Sequence, residues 1–133
     1  MRQRGSSPKL QVFNTALMSA VAVHEGWGYA RVRAEPEQWG RVVESAVGAE
    51  LLARNLTHSP SAPRVHYWHS AGKELDYVVA NKGELFALEV KSGRTRGAVL
   101  GLDAFCKTFP AARPLVVGTG GIPLQTWFAQ KQT

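Results

Sequence analysis

The order of hydrophobic patterns along the chain predicts a mixed α/β fold, a mixed sheet flanked by helices. Three observations carry that expectation. A long helical segment opens at Pro36 and runs to about Leu56. Three strand-like runs follow it, joined by tight turns at Ala71-Gly72-Lys73 and Asn81-Lys82-Gly83. After them come a basic loop, a helix from about Ala98 to Phe109, and a short strand from Pro114 to Gly118.

In order, residues 1–8 read as a flexible basic arm, and 9–133 as a single domain. Lys9–Phe13 is expected as a short strand, with Leu10 and Val12 on one face. Asn14 is a good N-cap for a helix over Thr15–Val23, which Gly26 and Gly28 end. Residues 24–35 carry little pattern, and Trp27 and Tyr29 read as packing groups. Pro36 suits the first turn of the long helix, and Glu35 and Glu37 suit its positive end. Val43, Ala46, Val47, Leu51 and Leu52 are its inward positions. His58 to Pro63 is a loop by composition. Strands are expected over Arg64–His69, Leu75–Ala80 and Leu85–Lys91, the last two closed into a hairpin. Ile122–Gln130 fits either a strand or a terminal helix.

Composition narrows the classes. The chain has 133 residues, enough for one core without covalent staples. Cys106 is alone, so no internal disulfide and no cysteine-based zinc site is available, and a reducing compartment, most simply the cytoplasm, is expected. It reads as a small apolar helical residue. No apolar run approaches the roughly 20 residues that span a bilayer. Lysine and arginine number 16 against 10 acidic residues, a net charge of +6. The excess is concentrated after Glu89, where Lys91, Arg94, Arg96, Lys107, Arg113 and Lys131 meet one acid, Asp103. Such a field favours polyanions such as DNA or RNA; a solvated basic surface is the other reading.

The chemistry-bearing stretch is Glu89-Val90-Lys91. Phe86, Leu88 and Val90 share one face of the strand, and Leu85, Ala87, Glu89 and Lys91 share the other. Two opposite charges thus leave one side of a largely apolar strand, roughly 7 Å apart along it. Charges on buried strands are paired or bind metal. The hairpin brings Asp76 beside Glu89. Asp76 and Glu89 would offer hard oxygen ligands to Mg²⁺ or Mn²⁺, with the Val90 carbonyl as a third. Lys91 would position water or stabilise charge on a reacting phosphoryl group. Glu44 has Gly40, Val47, Gly48 and Leu51 as helical neighbours, which puts a further carboxylate on a small, apolar side of its helix. The structural alternative is a Glu89–Lys91 pair on an exposed face, with Asp76 capping a turn. Other candidates are poorer. His66 and His69 fall on opposite strand faces, His24 and His58 have no partner spacing, and no serine sits in a nucleophile elbow. Tyr67, Trp68 and Tyr77 suit the core better than base stacking.

These residues carry a resemblance. Glu44, Asp76 and Glu89-Val90-Lys91 resemble the signature of the PD-(D/E)xK nuclease superfamily. More narrowly, Pro8-Lys9-Leu10, Gly40-Arg41-Val42-Val43-Glu44, Glu50-Leu51, Tyr67-Trp68, Gly72 to Val78 and Glu89-Val90-Lys91-Ser92 resemble the domain of unknown function at the C-terminus of many prokaryotic AAA+-type ATPases. The likeness runs from about residue 8 to 118. It departs at Leu75, where the superfamily name has proline. No G-x-x-x-x-G-K-[ST] phosphate loop is present, and Gly118-Thr119-Gly120-Gly121 reads as a turn.

The resemblance implies a restriction-endonuclease-like domain and a metal-dependent nuclease that hydrolyses DNA. Glu44, Asp76, Glu89 and Lys91 would be its catalytic set, and Asp76, Glu89 and Val90 its Mg²⁺ or Mn²⁺ ligands. Glu74 is a possible accessory acid. Arg94 and Arg96, with Arg41 and Lys73, would touch phosphates. The chain would be part of an AAA+-type ATPase or a stand-alone relative. The alternative is a non-catalytic DNA-binding or protein-interaction module of an ATPase.

Overall fold

The structure is a computed structural model, and it describes residues 11–12, 14–55, 60–94 and 97–130. The expected arm at 1–8 lies outside those residues, as do Lys9, Leu10, Phe13 and His58.

Three helices come first: α1 (Thr15–His24), α2 (Tyr29–Ala34) and α3 (Pro36–Asn55). Three strands follow, β1 (Arg64–Ser70), β2 (Lys73–Asn81) and β3 (Glu84–Lys91), and then α4 (Leu100–Thr108), β4 (Arg113–Gly118) and α5 (Leu124–Ala129). The sheet order is β1-β2-β3-β4. The first two pairings are antiparallel and the β3–β4 pairing is parallel, with α4 as the crossover a parallel pair needs. The expected mixed sheet with flanking helices is the architecture found.

Local chemistry accounts for the punctuation. The Asn14 Oδ1 atom accepts a hydrogen bond from the Ala16 amide at 2.8 Å, capping α1. Ala71 and Gly72 have φ of 50° and 75°, and Lys82 and Gly83 have 49° and 80°. Two positive values in succession match the twist of a two-residue hairpin turn. Both hairpins close this way, Ser70 facing Lys73 and Asn81 facing Glu84.

Two expectations are corrected, and one open choice is decided. Gln11 and Val12 belong to no strand; the Gln11 amide instead donates to the Ser45 carbonyl at 2.9 Å, tying this segment to α3. Residues 29–34 form α2, whose periodicity is hidden because none of its residues is buried. Ile122 makes a single bridge to Val117, and Leu124–Ala129 is then helical, with Trp127 as its buried anchor.

Two apolar clusters cover the faces of the sheet. On one, Val47 and Leu51 of α3 and Trp127 of α5 meet Tyr77, Val79, Leu88 and Val117. On the other, Leu102 and Phe105 of α4 meet Leu75, Val78 and Ala87. Strict alternation would put Leu75 and Tyr77 on the same side, yet they serve opposite clusters. The register gives the reason. His66 pairs with Val78 and Trp68 with Leu75, so three steps on β2 oppose two on β1. The extra residue is a β-bulge across Asp76–Tyr77.

Tyr77 then reaches α3, where its hydroxyl donates to the Gln11 side-chain oxygen at 2.6 Å and lies 2.9 Å from the Glu44 carbonyl. It fits because residue 48 is glycine: a Cβ there would stand 2.2 Å from the Tyr77 hydroxyl and 2.3 Å from the Gln11 side-chain oxygen. Gly48→Ala should therefore destabilise the protein by about 1–3 kcal/mol, despite a helix-propensity gain of about 1 kcal/mol. In a Tyr77→Phe background the same change should cost clearly less, which a double-mutant cycle of urea midpoints will measure.

Candidate functional site

The end of the sheet where β2 begins and β3 and β4 finish gathers the chemistry. Pairing of β2 with β3 runs from Asn81–Glu84 to Tyr77–Leu88 and stops at the bulge. Beyond it, the Asp76 carboxylate replaces a strand carbonyl, accepting a hydrogen bond from the Val90 amide at 2.8 Å. Asp76 is thus beside Glu89-Val90-Lys91 as expected, but it caps a strand amide rather than a turn. A strand residue points its N–H and C=O to the same edge, so the Val90 carbonyl also faces Asp76.

Glu89 and Lys91 follow the alternation of Leu85 and Ala87, on the side that packs α4. The Lys91 Nζ atom lies 2.8 Å from Glu89 Oε1, with the two side chains 25% and 11% exposed. The second carboxylate oxygen, Glu89 Oε2, is buried and has no hydrogen-bond partner. A buried carboxylate oxygen left unsatisfied is costly. A carboxylate with one unsatisfied oxygen, on the strand whose next amide is held by a second carboxylate, is oxygen-donor chemistry of the kind a hard divalent cation takes.

Glu44 is placed differently. Gly40, Glu44 and Gly48 succeed one another at four-residue spacing along α3. A Cβ at Gly40 would lie 3.4 Å from Ser92 Oγ, and one at Gly48 would press on Tyr77, so Glu44 lies between these approaches. Burial first, then the Glu44 and Asp76 carboxylates, push the Tyr77 hydroxyl well above its ordinary pKa. Glu44 and Asp76 therefore act on the same phenol. Among the described residues, however, no group of three or more His, Cys, Asp or Glu side chains stands close enough to hold a metal. The reason is the sheet: Glu44 comes from the helix on one face, while Glu89 and Lys91 leave β3 toward the other.

The expected accessory and phosphate-binding residues separate. Glu74 is exposed and its carboxylate accepts from the Tyr67 hydroxyl at 2.9 Å. Lys73 is exposed at the start of β2. Arg41 pairs with Glu37 at 2.7 Å on an exposed helix face. Arg96 lies outside the described residues. Arg94 lines an open cleft of about 640 Å³ with Arg33, Trp39, Ser92, Gly93 and the Gly118–Gly121 turn. Arg33 and Trp39 belong to no motif in the sequence; a cation one turn before a tryptophan-bearing helix is the only signal there. Trp68 is core, its ring edge-on to Phe105 at 5.3 Å. Burial and the nearby Asp103 raise the Cys106 thiol, which keeps it protonated and unreactive.

The model of the family described as "Domain of unknown function (DUF4143)" matches residues 39–128, well over half of the chain. The chain belongs to that family. DUF4143 is a domain found in AAA-ATPase-associated proteins. The match begins within α3 and ends within α5, so it contains Glu44, Asp76, Glu89 and Lys91 and excludes α1, α2 and Arg33. No curated protein and no solved structure matches the chain. Among the described residues, no helix of this DUF4143 member is long and apolar enough to cross a membrane.

Two outcomes follow from this geometry. Lys91→Ala leaves the Glu89 charge buried without its partner and should cost about 3 kcal/mol, whereas the same change in a Glu89→Gln background should cost less than half of that. Tyr77 titrates near 10 when unfolded and higher when folded. Above about pH 10 the unfolded chain loses its proton first, so stability present below that pH falls by up to about 1.4 kcal/mol per unit as pH rises. Urea midpoints of the wild type, set against Tyr77→Phe, should show that slope only in the wild type.

Proposed function

We propose that this DUF4143 domain is a metal-dependent nuclease of PD-(D/E)xK type that hydrolyses phosphodiester bonds of DNA, working beside an AAA-type ATPase in the reducing setting of the cytoplasm. The observation that carries the reading is the buried, unpartnered Glu89 Oε2, on the strand whose Val90 amide is held by Asp76. The order helix, three antiparallel strands, helix, parallel strand supports it, because it is the core arrangement expected for that superfamily.

Asp76, Glu89 and the Val90 carbonyl would hold Mg²⁺ or Mn²⁺. Bound there, the ion would polarise a phosphoryl oxygen and lower the pKa of an attacking water. Lys91, held in place by Glu89, sets a positive charge where negative charge develops on the reacting phosphate. Glu44 acts from α3, fixing the Tyr77 hydroxyl through its carbonyl and, with its carboxylate, the charge balance of the bulge.

A second reading, a non-cleaving contact module of an ATPase, draws on one fact. Asp76 already holds the Val90 amide and Lys91 already holds Glu89, so both side chains have structural work without any ion. Calorimetric titration of Mn²⁺ into the wild type, Asp76→Asn and Glu89→Gln separates the two. The nuclease reading expects binding in the wild type only, nicking of plasmid DNA in the same buffer, and a loss of about 10²–10³ in nicking rate for Lys91→Ala. If no protein takes up Mn²⁺ and no plasmid is nicked, the contact module stands.

A further inference from the structure

The cleft past the end of β3 has a chemistry of its own. Ser92 and Gly93 carry the chain from the end of β3 into its wall, so it opens past the end of the strand that bears Glu89 and Lys91, on the side of α2 and α3, while those two side chains leave β3 toward α4. Two guanidinium groups, Arg33 and Arg94, line it, and no carboxylate does among the described residues. The Arg33 guanidinium carbon lies 4.5 Å from the centre of the Trp39 ring, and Tyr29 meets that ring edge-on at 6.4 Å. A stacked arginine has lost much of its freedom before any ligand arrives, which favours forked recognition of phosphate.

The opposite wall is the Gly118–Gly121 turn. Its place against β3 is fixed by backbone contacts: the Thr119 amide donates to the Lys91 carbonyl at 2.9 Å, and the Thr119 hydroxyl donates to the Gly93 carbonyl. Gly118, at φ 101°, leaves no room for a side chain, since a Cβ would stand 1.9 Å from the Lys91 carbonyl oxygen. With Gly118, Gly120 and Gly121 beside Thr119, most of this wall is backbone without side chains, which lets a polymer lie close along it.

We infer that this cleft is the groove for a single strand of DNA, gripping its phosphates through Arg33 and Arg94 where the strand passes the end of β3. The inference rests on the nuclease reading and adds the form of substrate and the residues that hold it. A basic groove with an aromatic ring in its wall is the usual build of a single-strand site. About 640 Å³ falls within the range of sites that hold a molecule of nucleotide size.

The test is binding without chemistry: titration of fluorescein-labelled oligothymidylate in EDTA, over a range of salt, against a duplex of equal length. The single strand should bind more tightly than the duplex. Arg94→Ala and Arg33→Ala should each weaken it about tenfold and lower the salt slope by about 0.7 for each phosphate no longer neutralised. Arg31→Ala removes an equal charge that is stacked on Trp27, outside the cleft, and should stay within about twofold. Arg94 lies on an exposed loop, so its variant will fold even if Arg33→Ala does not. Unchanged affinity and salt slope in Arg94→Ala, or tighter binding of the duplex, would overturn the groove. Strand binding abolished by these substitutions, in a protein that takes up no Mn²⁺, would uphold the groove and remove only the cleavage.

Discussion

One extra residue in β2 organises the rest of the molecule. Had β2 alternated without interruption, Leu75 and Tyr77 would lie on one face, and either the α4 cluster or the α3 cluster would lack a central member. The bulge across Asp76–Tyr77 lets Leu75 serve α4 and Tyr77 serve α3. It also ends the β2–β3 ladder at Tyr77–Leu88, short of the ends of both strands. The Val90 amide would then be without a strand carbonyl, and the Asp76 carboxylate satisfies it. An acidic side chain is thereby held at a strand end by an ordinary requirement of backbone hydrogen bonding. The position is a consequence of folding, whatever chemistry is later placed there.

The charge on β3 adds a second constraint. A lone buried carboxylate would be a strong liability, and Lys91 answers only one of its two oxygens. A structural ion pair is best when every lone pair and proton is satisfied. The arrangement here falls short of that at Glu89 Oε2. Incomplete satisfaction of this kind is what a cation site needs before the cation arrives, and it is the physical difference between the two functional readings.

Much of this was legible in the sequence, for reasons that can be stated residue by residue. The hairpins were, because Ala71-Gly72 and Lys82-Gly83 adopt the positive φ values their turns require. So was α3, with Pro36 at its start and Val43, Val47 and Leu51 buried on one side. The adjacency of Asp76 to Glu89 followed from hairpin register alone. The bulge was not legible: its cause is a competition between two packing faces, which no window of local sequence displays. That Glu44 stands apart from Glu89 among the described residues was hidden for a related reason, since helical spacing says which side of α3 bears Glu44 but not which face of the sheet that side meets. Helix α2 was missed because an exposed six-residue helix buries nothing and so leaves no periodic trace.

That omission has a functional edge. The family match starts at residue 39, just past the segment that supplies Arg33. The acids, Lys91 and the glycine-rich turn all belong to the matched unit, and Trp39 is its first residue. Arg33 reaches the cleft only because α2 lies against α3, and its guanidinium is held there by Trp39. Under the proposed function the matched unit would hold the groups that act on a phosphate, while a neighbouring helix would contribute a cation that grips the strand. Reaction and grip would then rest on different elements, one set by the backbone of the sheet and the other by stacking between two helices. Changes in how α2 packs would alter affinity for the strand without disturbing Asp76, Glu89 or Lys91.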